Sequence, residues 1–327
     1  MHAAAINLRG GVSPRNIRLR GQSIIEYVLI IAIIGLVIVF AGPGVAGAIR
    51  NQFNLVGNTV NNGTTGGVDG GASGGGSTGT DSATVQAAIA KDAKDWTLGE
   101  QKAVAEDIAA KGEASPAYAK AKAAMDAGTK FSVKLTDGKT LTYHIIGINH
   151  DDLADGSGKA GLTFLTTSTT ISSRMNATET NAGGWEKSEL RQKMNSGEIW
   201  NLMPADFQSK VKSVKKLTNN VGSSKWDAAV TATTDKLFLL SFSEIVPTSH
   251  WASGYPWISS EGTQYEAFRG KVAENYPCSA IAINDYWWER SLFPSNSTDF
   301  LYVYSNGYPS DYNDAARSYC VCPAWCF

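Results

Sequence analysis

The sequence carries no excess of charge of either sign. Its 327 residues hold 29 Lys and Arg against 30 Asp and Glu, a net charge of −1. That leaves no basic footprint for nucleic acid and no acidic tail. No phosphate-binding glycine loop, nucleophile elbow or paired-carboxylate motif is present. His144 and His150 stand in or beside a predicted hairpin, away from any Cys or Ser at nucleophile spacing, and read as structural. Tryptophan is scarce early: eight of the nine lie from Trp185 onward, so the large core is C-terminal. Cysteine is absent before Cys278, and the other three are Cys320, Cys322 and Cys326. Four cysteines in an exported chain favour disulfides, with three connectivities open. The C-x-C-x-x-x-C spacing without a nearby His fits no zinc knuckle. The most local absence is in Ser291 to Ala324, which contains no Lys, Glu, Gln, Met or Trp.

What is there begins with "RNIRLRGQSIIEYVLIIAIIGLVIVFAG". Arg9, Arg15, Arg18 and Arg20 precede an almost wholly apolar run from Ile24 to Phe40. About 20 apolar residues span a bilayer, and basic residues hold the leading side in the cytoplasm. Small residues after the run, Gly42, Gly44 and Ala46, leave a cleaved secretory signal as one alternative. Glu26 at the start of the run argues for something else, because a carboxylate there is costly without a partner. Cleavage between Gly21 and Gln22 would create an α-amine four residues before Glu26, able to neutralise it across subunits.

The Gly-x-x-x-x-Glu-Tyr pattern of Gly21, Glu26 and Tyr27 resembles the prepilin signal of type IVb (Flp/Tad) pilins. The resemblance implies a leader at 1–21 removed by a prepilin peptidase and a hydrophobic pilin helix at 22–57. That helix would hold the subunit in the cytoplasmic membrane and then pack against other pilin subunits. A plain signal anchor is the competing reading.

Residues 58–80 are Gly, Ser, Thr and Asn with almost nothing apolar, a flexible linker. Residues 81–128 read as a helical spacer or stalk. Thr97 and Glu100 form a capping-box pattern, Gly112 a stop, and Ser115–Pro116 opens another helix ending near Gly128.

Residues 129–327 read as one α+β core. "KFSVKLTDGKTLTYHIIGIN" alternates around Asp137–Gly138 as a hairpin. "GWEKSELRQKM" and "PADFQSKVKSV" read as short helices, and "KLFLLS", "SAIAIN" and "FLYVYSNG" as strands. "NHDDLADGSG", Asn149 to Gly158, clusters carboxylates but lacks EF-hand spacing, so an acidic turn is expected and a structural calcium is the alternative.

The order of these segments, with Trp287, Trp288, Arg290 and Ser291 and then Val321, Pro323, Ala324 and Cys326, resembles a bacterial surface-domain family that ends in WW-x-RS and V-x-PAFC-like segments. That family is similar in turn to the C-type-lectin fold in its formylglycine-generating-enzyme-like form. Cys322 departs where Arg is usual, and Cys320 where Gly is usual. The resemblance implies an exposed ligand-binding face between the two segments.

Pro294–Asp314 lies inside that face, and its composition is that of a paratope. Tyr gives rigid contact area and Ser, Asn and Gly adapt their hydrogen bonds, whereas Lys and Glu lose more rotamer entropy on ordering. The residues are also those reachable from AAY codons by adenine replacement. This resembles the variable region of diversity-generating-retroelement target proteins. Candidate contacts are Tyr286, Asn296, Ser297, Asp299, Tyr302, Tyr304, Asn306, Tyr308, Asp311, Tyr312, Asn313 and Asp314, with Tyr302, Tyr304 and Tyr308 as anchors. Phe300, Val303 and Val321 face a core, and Trp287 and Trp288 are frame rather than contacts.

The sequence-based expectation is a pilus-borne adhesin at the cell surface, with no catalysis, no resident cofactor and no nucleic-acid partner. It would bind an extracellular protein or glycan. A thiol- and copper-dependent oxidase using Cys320, Cys322 and Cys326, and a purely structural pilus subunit, are the alternatives.

Overall fold

The computed structural model describes residues 82–222, 226–247, 251–273 and 276–327. The expected leader, apolar helix and linker, with Gly21, Gln22, Glu26 and Tyr27, lie outside them. Among the described residues no helix is long and apolar enough to cross a membrane. The longest, α2, has 14 residues.

Three helices open the described chain. In α1 (Ala83–Ile89) the Ser82 hydroxyl accepts from the Val85 N–H. In α2 (Leu98–Lys111) the predicted capping box forms: Thr97 N–H donates to Glu100 at 2.7 Å, and the Glu100 N–H donates back to the Thr97 hydroxyl. Gly112 ends the helix at φ +59°. The third, α3, is Tyr118–Asp126.

These helices are not a separate stalk. Val85, Val104, Ile108 and Met125 are buried in the same apolar cluster as the sheets. Tyr143 donates its hydroxyl to Gln101 at 3.0 Å, and Asn149 donates to the Ile108 carbonyl at 3.3 Å. A Cβ at Gly161 would sit 1.8 Å from the Ala105 carbonyl oxygen, so only glycine permits this approach of strand to helix. The alternating Ala/Val face of α2 could be read as polar-rich because small alanines supply the contact.

A four-stranded sheet has the order β1-β2-β3-β11, built from β1 (Phe131–Lys134), β2 (Thr140–Ile148), β3 (Leu162–Thr166) and β11 (Ala324–Cys326). The Asp137–Gly138 hairpin joins the first two in the expected place. Strand β11 runs antiparallel to β3, Trp325 opposite Phe164. Trp325 packs against Tyr143 at 4.7 Å and Phe207 at 5.0 Å between ring centroids. A five-stranded sheet has the order β4-β10-β7-β8-β9, from β4 (Ser172–Ser173), β7 (Trp287–Leu292), β8 (Asp299–Val303), β9 (Asp311–Asp314) and β10 (Tyr319–Cys320). Strands β5 (Val214–Asn219) and β6 (Val230–Asp235) form a separate antiparallel pair. Short helices connect these sheets: α4 (Gly184–Lys187), α5 (Glu189–Asn195), α6 (Glu198–Leu202), α7 (Ala205–Gln208) and α8 (Phe242–Ile245).

The expected architecture is therefore corrected. The described region is β-rich with few, short helices, where a helical stalk at 81–128 and an α+β, lectin-like domain at 129–327 were anticipated; the pilin helix expected at 22–57 lies outside the described residues. "KLFLLS" is fully buried from Leu237 onward but makes a single bridge, Phe238 to Ala324, instead of a ladder. "SAIAIN" is a chain of turns, because its backbone follows the surface before entering β7.

A line of buried charge joins the sheets. Arg290, fully buried, donates to Glu244 at 2.5 Å, to the Leu239 carbonyl at 2.7 Å, to the Glu261 carbonyl at 2.8 Å and to the Thr218 hydroxyl at 3.0 Å. Lys216 bridges Glu244 at 2.5 Å and Asp151 at 2.6 Å, and Tyr265 donates to Asp151 at 2.9 Å. Burial alone would raise the carboxyl of Asp151, but Lys216 holds it well below the usual range. Glu244 is likewise lowered against its burial by Arg290 and Lys216.

Two further acids lack such compensation. Burial pushes Glu261 up to about 7, although Ser291 and the Asn219 N–H bond to it. Burial, with Glu261 nearby, raises Glu289 well above the carboxylate range, and neither of its oxygens has a hydrogen-bond partner.

Replacing Lys216 by Met leaves the buried Asp151 carboxylate without its cation and Glu244 with Arg290 alone, and should cost about 3–5 kcal/mol of unfolding free energy; adding Asp151→Asn should recover part of it in urea titrations. The raised acids give a second expectation. The folded protein keeps protons that the unfolded chain releases above 4.5, so their stabilising contribution is full below that pH and is lost as pH rises through about 7. Glu289→Gln should flatten the fall in urea midpoint between pH 5 and pH 8, and an unchanged slope would contradict the burial of this carboxyl.

Candidate functional site

Directly opposed residues of neighbouring strands share a face. In the five-stranded sheet Trp288 opposes Tyr302, Tyr302 opposes Asp311 and Phe300 opposes Asn313. Tyr286 precedes β7 and Tyr304 follows β8, so both extend this face at one edge. Tyr319 on β10 completes it. Tyr286 lies 4.7 Å from Tyr304 and 5.3 Å from Tyr319, and Tyr302 lies 4.8 Å from Tyr319. Trp288 lies beneath, 4.7 Å from Tyr319 and 6.2 Å from Tyr302. Exposure rises outward: Trp288 is 0% exposed, Tyr302 5% and Tyr304 36%.

Three phenols of this cluster are raised above the ordinary tyrosine range. Burial, then the hydrogen bond to Asp311, raises Tyr302; burial raises Tyr319; the hydrogen bond with Tyr304 raises Tyr286. Asn313 donates to the Tyr319 hydroxyl at 2.7 Å. The result is an aromatic platform with hydroxyl and amide groups and the Asp311 carboxylate at its rim.

The turn Tyr304–Tyr308 is fixed from both sides. Tyr304 N–H donates to the Tyr308 carbonyl and Gly307 N–H to the Tyr304 carbonyl, each at 2.8 Å. Asn306 accepts from the Tyr308 N–H at 3.0 Å. Gly307 has φ +81°, and a Cβ there would meet the Cys278 carbonyl oxygen at 1.9 Å. Both conditions demand glycine.

The twelve predicted contacts thus divide. Tyr286, Tyr302, Tyr304, Asp311 and Asn313 come together, with Asn306 and Tyr308 on the adjoining turn. Tyr302 is mostly covered, so it offers an edge to a ligand and packing to its neighbours. Tyr312 opposes Leu301 on the other face and stacks on Phe293 at 3.5 Å. Asp314 pairs with Arg317 at 3.0 Å. Asn296 accepts from the Thr298 and Asp299 N–H groups, organising its own loop, and Asp299 is buried. Ser297 is exposed there, and its carbonyl accepts from the Asn181 N–H. Tyr319 was missed by sequence reasoning, although it lies in the stretch without Lys, Glu and Gln that flagged the others.

All four cysteines are free thiols rather than the expected disulfides. Cys320 donates to Asp285 at 3.2 Å, Cys278 to the Lys271 carbonyl at 3.2 Å, and Cys326 lies 3.3 Å from the Thr163 hydroxyl. Their partners lie in different parts of the fold. Burial pushes Cys320 up to about 12 and raises Cys322 and Cys326 well above the thiol range.

In the acidic turn, Asp151 belongs to the buried charge line, Asp152 pairs with Lys159 at 3.0 Å, and Asp155 accepts from Ser157 at 2.7 Å. Among the described residues no group of three His, Cys, Asp or Glu side chains is placed to hold a metal ion.

Residues 160–327, just over half of the chain, match the family described as Domain of unknown function (DUF6273). The chain belongs to that family. No curated protein and no solved structure matches it. The matched family carries no pilin, lectin or retroelement-target description, and among the described residues no helix is long and apolar enough to cross a membrane, so the expected pilin, lectin-fold and transmembrane-helix readings find no support.

Titration of the native protein with a thiol reagent should find about one reactive group, the partly exposed Cys278, and three slow ones. Unfolding without reductant should release all four; fewer would mean disulfides that this fold does not contain.

Proposed function

We propose that this DUF6273 protein is a non-catalytic binding protein that recognises an extracellular protein or glycan through the tyrosine platform of its five-stranded sheet. The observation that carries the reading is the graded exposure of the aromatic cluster from Trp288 through Tyr302 to Tyr304. Rigid aromatic contact area set on a sheet costs little entropy on binding, while flanking Asn, Ser and Asp adapt their hydrogen bonding. A few aromatic anchors amid polar neighbours is the arrangement of an interaction hot spot. The side chains at the rim are also those that adenine replacement in AAY codons reaches, so the proposal includes a diversified specificity on a fixed frame.

The thiol-dependent oxidase has less support. Such chemistry needs thiolates of lowered pKa in an accessible site, whereas burial raises Cys320, Cys322 and Cys326.

The test is a screen of the full chain against glycan and secreted-protein panels, followed by variants. Tyr304→Ala with Tyr308→Ala should weaken any ligand at least about tenfold, roughly 1.4 kcal/mol, with the unfolding temperature unchanged within error. Ligands that bind the double variant as tightly as the parent would sink the proposal.

A further inference from the structure

A second candidate site shares no lining residue with the tyrosine platform. A cavity of about 360 Å³ opens between the end of α3, strand β2 and the 278–284 segment. Lys130, Lys271 and His144 line it, and Ala267, Ala280 and Ile283 supply apolar wall. The lysines make no ion pair among the described residues. Asp126, the acid on the rim, is held by Lys122 at 2.7 Å. The buried Nε2 of His144 has no hydrogen-bond partner. A buried polar atom without a partner is uncommon and calls for an explanation. The carbonyls at the end of α3 do not compete for the cations: Ala123 accepts from Ala127, Ala124 from Thr129 and Met125 from Gly128.

We propose that this cavity binds a small organic anion, a carboxylate on a short apolar body, with Lys130, Lys271 and the Nε2 of His144 facing the carboxylate. Two ammonium groups without an ion pair among the described residues, and one orphaned ring nitrogen, select negative charge. The Ala and Ile wall accommodates carbon, which distinguishes the site from one for inorganic phosphate.

The electrostatics couple this binding to protons. Among the described residues the titratable groups around the cavity are Asp126, Lys130, His144 and Lys271. Burial, and after it the charges of Lys130 and Lys271, together lower His144 to about 4. A bound carboxylate offsets both lysines and accepts a hydrogen bond from protonated Nε2. Binding should therefore take up a proton and tighten as pH falls.

Calorimetry of the full chain with butyrate, succinate, inorganic phosphate and neutral butyramide decides the matter. Runs at pH 5.5 and 7.5, in buffers of different ionisation enthalpy, report proton uptake. Butyrate or succinate should bind about tenfold more tightly at the lower pH, with net proton uptake, and butyramide should not bind. Lys130→Ala with Lys271→Ala, both exposed, should weaken binding at least about tenfold without lowering the unfolding temperature. His144→Asn should abolish proton uptake; if it fails to fold, uptake in the parent still decides. Failure of either carboxylate to bind at millimolar concentration, phosphate binding alone, or affinity unchanged in the double-lysine variant would overturn the proposal. Tyr304→Ala with Tyr308→Ala changes no residue that lines this cavity, and the calorimetry is read on the parent and the lysine variants, so failure here and failure of the tyrosine platform are distinguishable.

Discussion

The alternating line of buried charge from Asp151 through Lys216 and Glu244 to Arg290 is the constraint on which the remainder depends. Each member is sealed from water, and an ion so placed is tolerable only when its partners are near and its remaining hydrogen bonds are filled. Arg290 meets that demand with donors to Glu244, two neighbouring carbonyls and Thr218. The partners come from the acidic turn, from β5, from α8 and from β7, so the line fixes four segments that share little sequence proximity. Its specificity, more than its energy, keeps β7 in one register against its neighbours.

Register on β7 separates frame from platform. Trp287 opposes Val303 on the core side, and Trp288 opposes Tyr302 on the tyrosine side. The irregularity between Trp288 and Leu292 lets Arg290 and Ser291 both reach the buried polar network. A platform whose floor is a fully buried Trp does not deform when side chains at its rim are exchanged. That is the physical requirement for a surface whose specificity changes while its fold does not.

Local signals were legible wherever one short stretch decides the outcome. The Thr97/Glu100 capping box, the Gly112 stop and the Asp137–Gly138 hairpin all depend on residues within a few positions of one another. The tyrosine-rich composition flagged most of the platform, but composition has no faces. Only the strand register turns Tyr312 away from Tyr302 and brings Tyr319 in. The helices at 83–126 looked separable because their Ala faces carry little hydrophobicity, yet Gly161 and Tyr143 join them to the sheet. The cysteines look like a disulfide set in sequence, while their partners Asp285, Thr163 and Lys271 become visible only in space. "KLFLLS" is as buried as a central strand but makes one bridge, since burial and ladder pairing are separate properties of a chain.

Residues 319–326 belong to both sheets: Tyr319 and Cys320 sit between β4 and β7, and Ala324 to Cys326 lie beside β3. Their partners were synthesised as many as about 160 positions earlier, so a growing chain holds two incomplete sheets with open edges until residue 326 has left the ribosome. Long-range pairing of this kind is slow and leaves unpaired strands exposed meanwhile. The tyrosine platform is thus complete only once Tyr319 and Cys320 have joined strands laid down far earlier in the chain.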